Sequence, residues 1–194
     1  MGNSPRRVRV VLRALEVILF VIGLLSIGWY VTARTAATRE QASLSEDLDR
    51  LTRSGTAPAS TAAASRSLVG RIEVPRLKLS AIAREGVDTG TLRLAVGHIP
   101  GTAFPGEHGN AGFAAHRDSF FGPLKSVRKG DEVIVTTPAG VYRYSVTAVR
   151  VVDPEDVSVL DPTPETSLTL VTCYPFTYVG SAPRRFIVHA TLTR

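Results

Sequence analysis

The chain has 194 residues, 44% of them hydrophobic, with a formal net charge of +6. That suits one modest domain plus an appendage. The positive charge is not a nucleic-acid signature: residues 1–67 carry nine arginines against five acids, residues 68–194 carry 14 basic against 12 acidic side chains, and no nucleic-acid-binding motif stands out. The single cysteine excludes an intramolecular disulfide.

Arg6, Arg7, Arg9 and Arg13 precede an apolar run from Ala14 to Val31, in which only Glu16 is charged. About 18 residues is long enough to cross a bilayer, and Trp29 and Tyr30 close the run as an aromatic belt would. The pattern predicts a basic cytoplasmic segment at 1–13, an uncleaved signal-anchor helix at 14–33 and the remainder outside the cytoplasm. Val31-Thr32-Ala33 also offers a signal-peptidase site, and a cleaved leader places the remainder on the same side. An unpaired cysteine there is unusual, and is either a reactive thiol or an inert buried one.

Residues 34–67 read as a linker or stalk. Leu44, Leu48 and Leu51 give one apolar face to a short amphipathic helix over 39–53. Residues 54–67 are Ala, Ser, Thr, Gly and Pro with one arginine, a flexible spacer. The globular domain is 68–194. Strands are expected at 68–74, ended by Pro75, and at 79–83; a single helical turn at 91–96; strands at 111–115 and 131–137; and a long strand at 141–152, joined to the one before it by Pro138-Ala139-Gly140. The last two strands are 168–172 and 186–192. At least seven short strands with little helix predict an all-β fold, a closed or nearly closed barrel.

The strand at 168–172 delivers Cys173 to its end, and Arg184 and Arg185 stand where the last strand begins. The thiolate is the nucleophilic form of cysteine, and a nearby cation favours it. A thiol also wants an imidazole. His116 directly follows an apolar strand, at the kind of strand end where a barrel exposes working side chains. His189 alternates within the last strand, His98 reads as a loop residue and His108 as an exposed turn residue. Arg185 cannot act as a base, but it can donate hydrogen bonds to a carbonyl and to the oxyanion formed from it; alone, it reads better as a surface arginine pairing with a carboxylate. No histidine or cysteine spacing fits a metal motif.

Three segments, TLVTC at 169–173, AAHRDSFFGPL at 114–124 and APRRFIVHA at 182–190, resemble the signature of the sortases. HIPGTAFPGEHGNAGFAAHRD at 98–118 is similar to the family as well, and the run TLVTCYPFTYVGSAPRRFIV most resembles class D sortases. Ala115 departs from the glycine that many relatives carry before the histidine. The resemblance implies a closed barrel of about eight strands with short helical turns, preceded by one transmembrane helix. It implies Cys173 as nucleophile, His116 as acid and base, Arg185 as the group that positions substrate and stabilises the oxyanion, and Thr172 on the peptide groove. It also implies a cysteine transpeptidase that cleaves an LPXTG-like sorting signal on surface proteins and passes the acyl group to an amine, from a peptidoglycan precursor or a protein lysine. Apolar residues at 111–115, 157–160 and 174–179, Tyr174 among them, are candidates for binding the signal. No cofactor is expected. Calcium at Glu155 and Asp156, in a loop rich in acid and proline, is the one candidate metal, and a weak one because calcium needs a cage of several oxygens. A hydrolytic cysteine endopeptidase and a non-catalytic peptide-binding barrel are the alternative readings.

Overall fold

The structure, a computed structural model, describes residues 5–54, 68–178 and 180–193. The spacer expected at 54–67 lies outside the described residues from 55 onward. The chain forms two compact units, residues 1–39 and 40–194.

One helix, α1, runs Pro5–Ser54. Its section Leu12–Tyr30 has a mean hydropathy of 1.9 and none of it is buried, so it is long and apolar enough to cross a membrane.

The second unit is a closed barrel. Its strands are β1 (Leu68–Val74), β2 (Leu79–Glu85), β3 (Val96–His98), β4 (Asn110–Ala114), β5 (Glu132–Thr137), β6 (Gly140–Val152), β7 (Ser167–Tyr174) and β8 (Arg184–Leu192), with a short helix α2 at Thr89–Leu94. Around the barrel they run β1-β2-β3-β4-β7-β8-β6-β5. β2 with β3 and β4 with β7 are parallel; every other neighbouring pair is antiparallel. Closure leaves no open sheet edge.

Local chemistry sets the element ends. Asp88 caps α2 by accepting from the N–H groups of Gly90 at 2.9 Å and Thr91 at 3.1 Å. Thr137 closes the β5–β6 hairpin by accepting from the N–H groups of Ala139 and Gly140. The strands alternate. Leu168 and Leu170 of β7 and Val188 and Ala190 of β8 face inward onto Ile72, Val74, Phe113, Val133, Val135 and Tyr144, all fully buried. The intervening residues, Cys173 and Arg185 among them, therefore face outward.

Two features differ from the sequence reading or extend it. His98 is not in a loop: it closes β3, is 1% exposed, and has Nδ1 2.7 Å from Glu85 Oε2 and Nε2 2.9 Å from the Ala103 carbonyl. Three residues are too few to show alternation, so β3 left no periodic signal. Of the leucine face expected at 39–53, two side chains lie on the barrel, and that of Leu51 is outside those the structure describes. Leu44 and Leu48 are buried with Leu68 and Ile82. Gln41 donates to the Leu94 carbonyl at 2.6 Å and accepts from the Ile82 N–H at 2.8 Å. Arg71 reaches back to Ser45 and Asp49.

Candidate active site

Cys173 and Arg185 are directly opposite each other in the antiparallel β7–β8 ladder. Residues so paired project to the same face with side chains a few ångströms apart. The sheet register thus holds a thiol beside a guanidinium, and one residue of slip would send Cys173 inward. Cys173 is a free, half-buried thiol. Arg185 Nη1 donates to the carbonyls of Ala182 and Arg184 at 3.2 and 3.1 Å. Its other N–H groups have no protein partner among the described residues.

His116 arrives from β4, which lies parallel to β7 with Ala114 opposite Val171. The ladder is extended one step beyond β4. The Ala115 N–H donates to Val171 O at 3.2 Å, and the Ala115 carbonyl accepts from the Thr172 hydroxyl at 2.7 Å. His116, the next residue, therefore leaves the sheet beside the end of β7. The result is an open cleft of about 300 Å³. It is lined by His116, Arg117 and Asp118 from the β4 side, by Gly180, Ser181 and Ala182 from the β7–β8 loop, and by Cys173 and Arg185.

Thr172 and Tyr174, the other residues singled out from sequence, do not line this cleft. Thr172 is 2% exposed, and its hydroxyl serves Ala115. Tyr174 belongs to an aromatic group with Phe176 and Phe186 that anchors the start of the β7–β8 loop.

The outer face of β4 and β7 leads toward Cys173 through Gly112, Ala114 and Val171. The Val157–Leu160 turn lies against it, and Leu160 Cδ2 is only 3.0 Å from where a side chain on Gly112 would begin. A polar network fastens that turn. Buried Asn110 donates to the carbonyls of Val159 at 3.1 Å and Asp161 at 3.3 Å and accepts from the Thr169 hydroxyl at 2.8 Å. The Thr169 proton is spent on Asn110, so the 3.1 Å contact with His189 needs the proton on His189 Nδ1. Burial, with Arg150 nearby, holds the His189 imidazole below its ordinary value, against the opposing charge of Glu165. Sequence reading missed this network because Asn110 is 49 and 51 residues from its two partners in the turn, Val159 and Asp161. It also missed Arg117, whose only signal was its place in the polar segment after His116.

Among the described residues no three His, Cys, Asp or Glu side chains group as metal ligands would. Asp156 accepts from the Ser158 hydroxyl and Glu155 is exposed.

Comparison with known proteins matches this architecture. Residues 72–193 match the sortase domain family model. Sortase D of Bacillus subtilis is 34% identical over 121 residues, covering 62% of this chain and 61% of the relative. Sortase A of Listeria monocytogenes is 33% identical over 111 residues, covering 55% and 50%. The chain thus spans between half and about three fifths of these relatives. Among solved structures, a Clostridium perfringens Sortase D5 transpeptidase shares the fold with a TM-score of 0.68 at 23% identity, covering 80% of this chain and 99% of that one. L. monocytogenes sortase A superposes with a TM-score of 0.60 at 29% identity, covering 66% and 88%. The closed eight-stranded barrel, the outward cysteine and arginine register and the match over 72–193 place the chain in the sortase family, with class D among its relatives.

Proposed function

We propose that the protein is a cysteine transpeptidase that cleaves an LPXTG-like sorting signal and passes the acyl group to an amine. The observation that carries this reading is the convergence of Cys173, Arg185 and His116 on one cleft. The Cys173 thiolate attacks the carbonyl carbon of the scissile peptide, forming a C–S bond and an oxyanion. Free N–H groups of Arg185 donate to that oxyanion. As the C–N bond breaks, imidazolium His116 gives its proton to the departing amine, leaving a thioester. Neutral His116 then takes a proton from the incoming amine as its nitrogen attacks the thioester, and the thiolate leaves. No step calls for a cofactor or a metal.

The sorting signal belongs along the outer face of β4 and β7 toward the half-buried Ala114 and Val171, beside the Val157–Leu160 turn, which packs on Gly112. Membrane topology follows the same reading: the basic segment 1–13 in the cytoplasm, the apolar helix that follows it across the bilayer, and the barrel outside, among surface proteins that carry sorting signals.

The test is turnover of a fluorogenic LPXTG-type peptide with and without added amine. Cleavage that depends on Cys173, with a ligated product when amine is present, is the expected outcome. Cys173→Ala should abolish both products, and His116→Ala and Arg185→Ala should each lower kcat by at least about a hundredfold. Cleavage that survives Cys173→Ala ends the reading. Amine that leaves the products unchanged makes the protein a hydrolytic endopeptidase.

A further inference from the structure

Arg117 takes no part in the chemistry above, yet it has the most unusual environment in the cleft. Its Nη2 donates to two main-chain carbonyls of the β7–β8 loop, Tyr178 O at 2.6 Å and Gly180 O at 3.1 Å. The guanidinium carbon lies 5.9 Å from the centre of the Tyr178 ring. Nη1 is buried with no hydrogen-bond partner among the described residues. An arginine retained for stability alone would have its N–H groups satisfied, and a buried unpaired donor in a native fold calls for a functional explanation.

Past Phe176, which packs in the aromatic group with Tyr174 and Phe186, the loop's long-range hydrogen bonds among the described residues come from the one side chain of Arg117. Among the described residues, the remaining hydrogen bonds of 176–182 are to neighbours in the chain: the Tyr178 N–H to Pro175 O, and Arg185 to Ala182 O. Arg117 alone ties it to the segment that carries His116. That tie sets the gap between His116–Asp118 and Gly180–Ala182, the two walls of the cleft.

Reaction geometry says which substrate meets this gap. One imidazole protonates the departing amine and deprotonates the incoming one, so both nitrogens sit on the His116 side of Cys173. The acyl donor approaches along β4 and β7, and the cleft lies beyond the ends of those strands. It is therefore the entrance for the acceptor. Water needs no wall to attack a thioester. A substituted amine must be held within attacking distance and in the right direction.

We propose that Arg117 is a positioning residue for the second half-reaction, which holds the β7–β8 loop at the spacing that seats an amine against the thioester and so sets how the thioester divides between amine and water. This rests on the transpeptidase reading and deepens it. The planar fork is essential, because one guanidinium reaches two carbonyls while lying over the Tyr178 ring, and a lysine ammonium cannot.

The experiment uses the full chain in detergent, with an LPXTG-type peptide as donor and glycinamide as acceptor. The ratio of ligated to hydrolysed product is measured against glycinamide concentration for wild type, Arg117→Ala and Arg117→Lys. Both variants should lower the ratio about tenfold and raise the KM for glycinamide more than they change kcat, because orientation of the amine is what is lost. If Arg117→Ala fails to fold, Arg117→Lys carries the test alone. An unchanged ratio in a folded variant overturns the proposal. So does an equal fall in both products, which marks a merely structural arginine. A wild type that ligates while the ratio stays fixed sinks this inference only. A wild type that hydrolyses at every glycinamide concentration sinks the transpeptidase reading, and this inference with it.

Discussion

Ala115 is held by β7 at both its N–H and its carbonyl, and Thr172 supplies the second of those bonds from the barrel interior. Thr172 thus acts on the site from behind, by fixing the main chain that ends in His116. Thr172→Val keeps the shape and removes the donor, leaving a carbonyl unpaired where the threonine side chain was buried. The expected loss is about 1–3 kcal/mol of stability, read from urea unfolding. Turnover should fall as well, because His116 is the next residue. Thr172→Ser keeps the hydroxyl and should recover most of both. A Thr172→Val enzyme with wild-type stability would show that water replaces the hydroxyl and that this bond does not fix the strand end.

At the level of elements, the strands were legible because they alternate and are bounded by Pro75, by the turn Pro138-Ala139-Gly140 and by the loop opened by Pro175. The pairing of Cys173 with Arg185 was foreseeable from two strands joined by a loop of about ten residues. The amphipathic section of α1 was half legible. The spacing of Leu44 and Leu48 says that a face is buried, but not against what, since Leu68 and Ile82 offer no local signal of a helix above them. The same limit hid β3, whose partners are Ala83–Glu85 and Phe113–Ala114. Leu48 is completely buried in this contact. Leu48→Ala removes that packing and leaves a cavity, so stability should drop by about 2–4 kcal/mol. The barrel chemistry should persist, because none of α1 lines the cleft. A drop well under 1 kcal/mol in the urea midpoint analysis would mean that the helix leaves the barrel readily.

For the molecule as a whole, the shifted groups bound a pH range of greatest stability, and each edge has an identifiable cause. Burial lowers His189 from an ordinary value of 6.5. The unfolded chain then binds the proton more readily, so stability is lost as pH falls below that value. Asp131 is held below the ordinary carboxylate value, chiefly by its hydrogen bonds from Arg76 and helped by the Arg128 N–H. Asp88 is lowered as well, by the Thr91 hydroxyl and the N–H groups it caps. Their stabilisation is present above the unfolded carboxylate value and disappears as pH falls through the lowered folded ones. Tyr144 lies at the other edge. Burial raises its phenol above 10.0, so its contribution is intact below that value and is lost as pH rises through the folded one. The melting temperature should therefore form a plateau from about pH 6.5 to 10, with a shallow step on the acid side before a steeper fall in the carboxylate range. His189→Gln keeps a donor for Thr169 and has nothing to titrate, so it should remove the shallow step and leave the steep fall. Asp131→Asn should weaken the steep fall and lower the plateau, since a neutral amide replaces the carboxylate that faces Arg76. If His189→Gln left the step between pH 6.5 and the carboxylate range unchanged, the proton responsible would belong to another group, and the Asn110–Thr169–His189 network would carry no pH dependence.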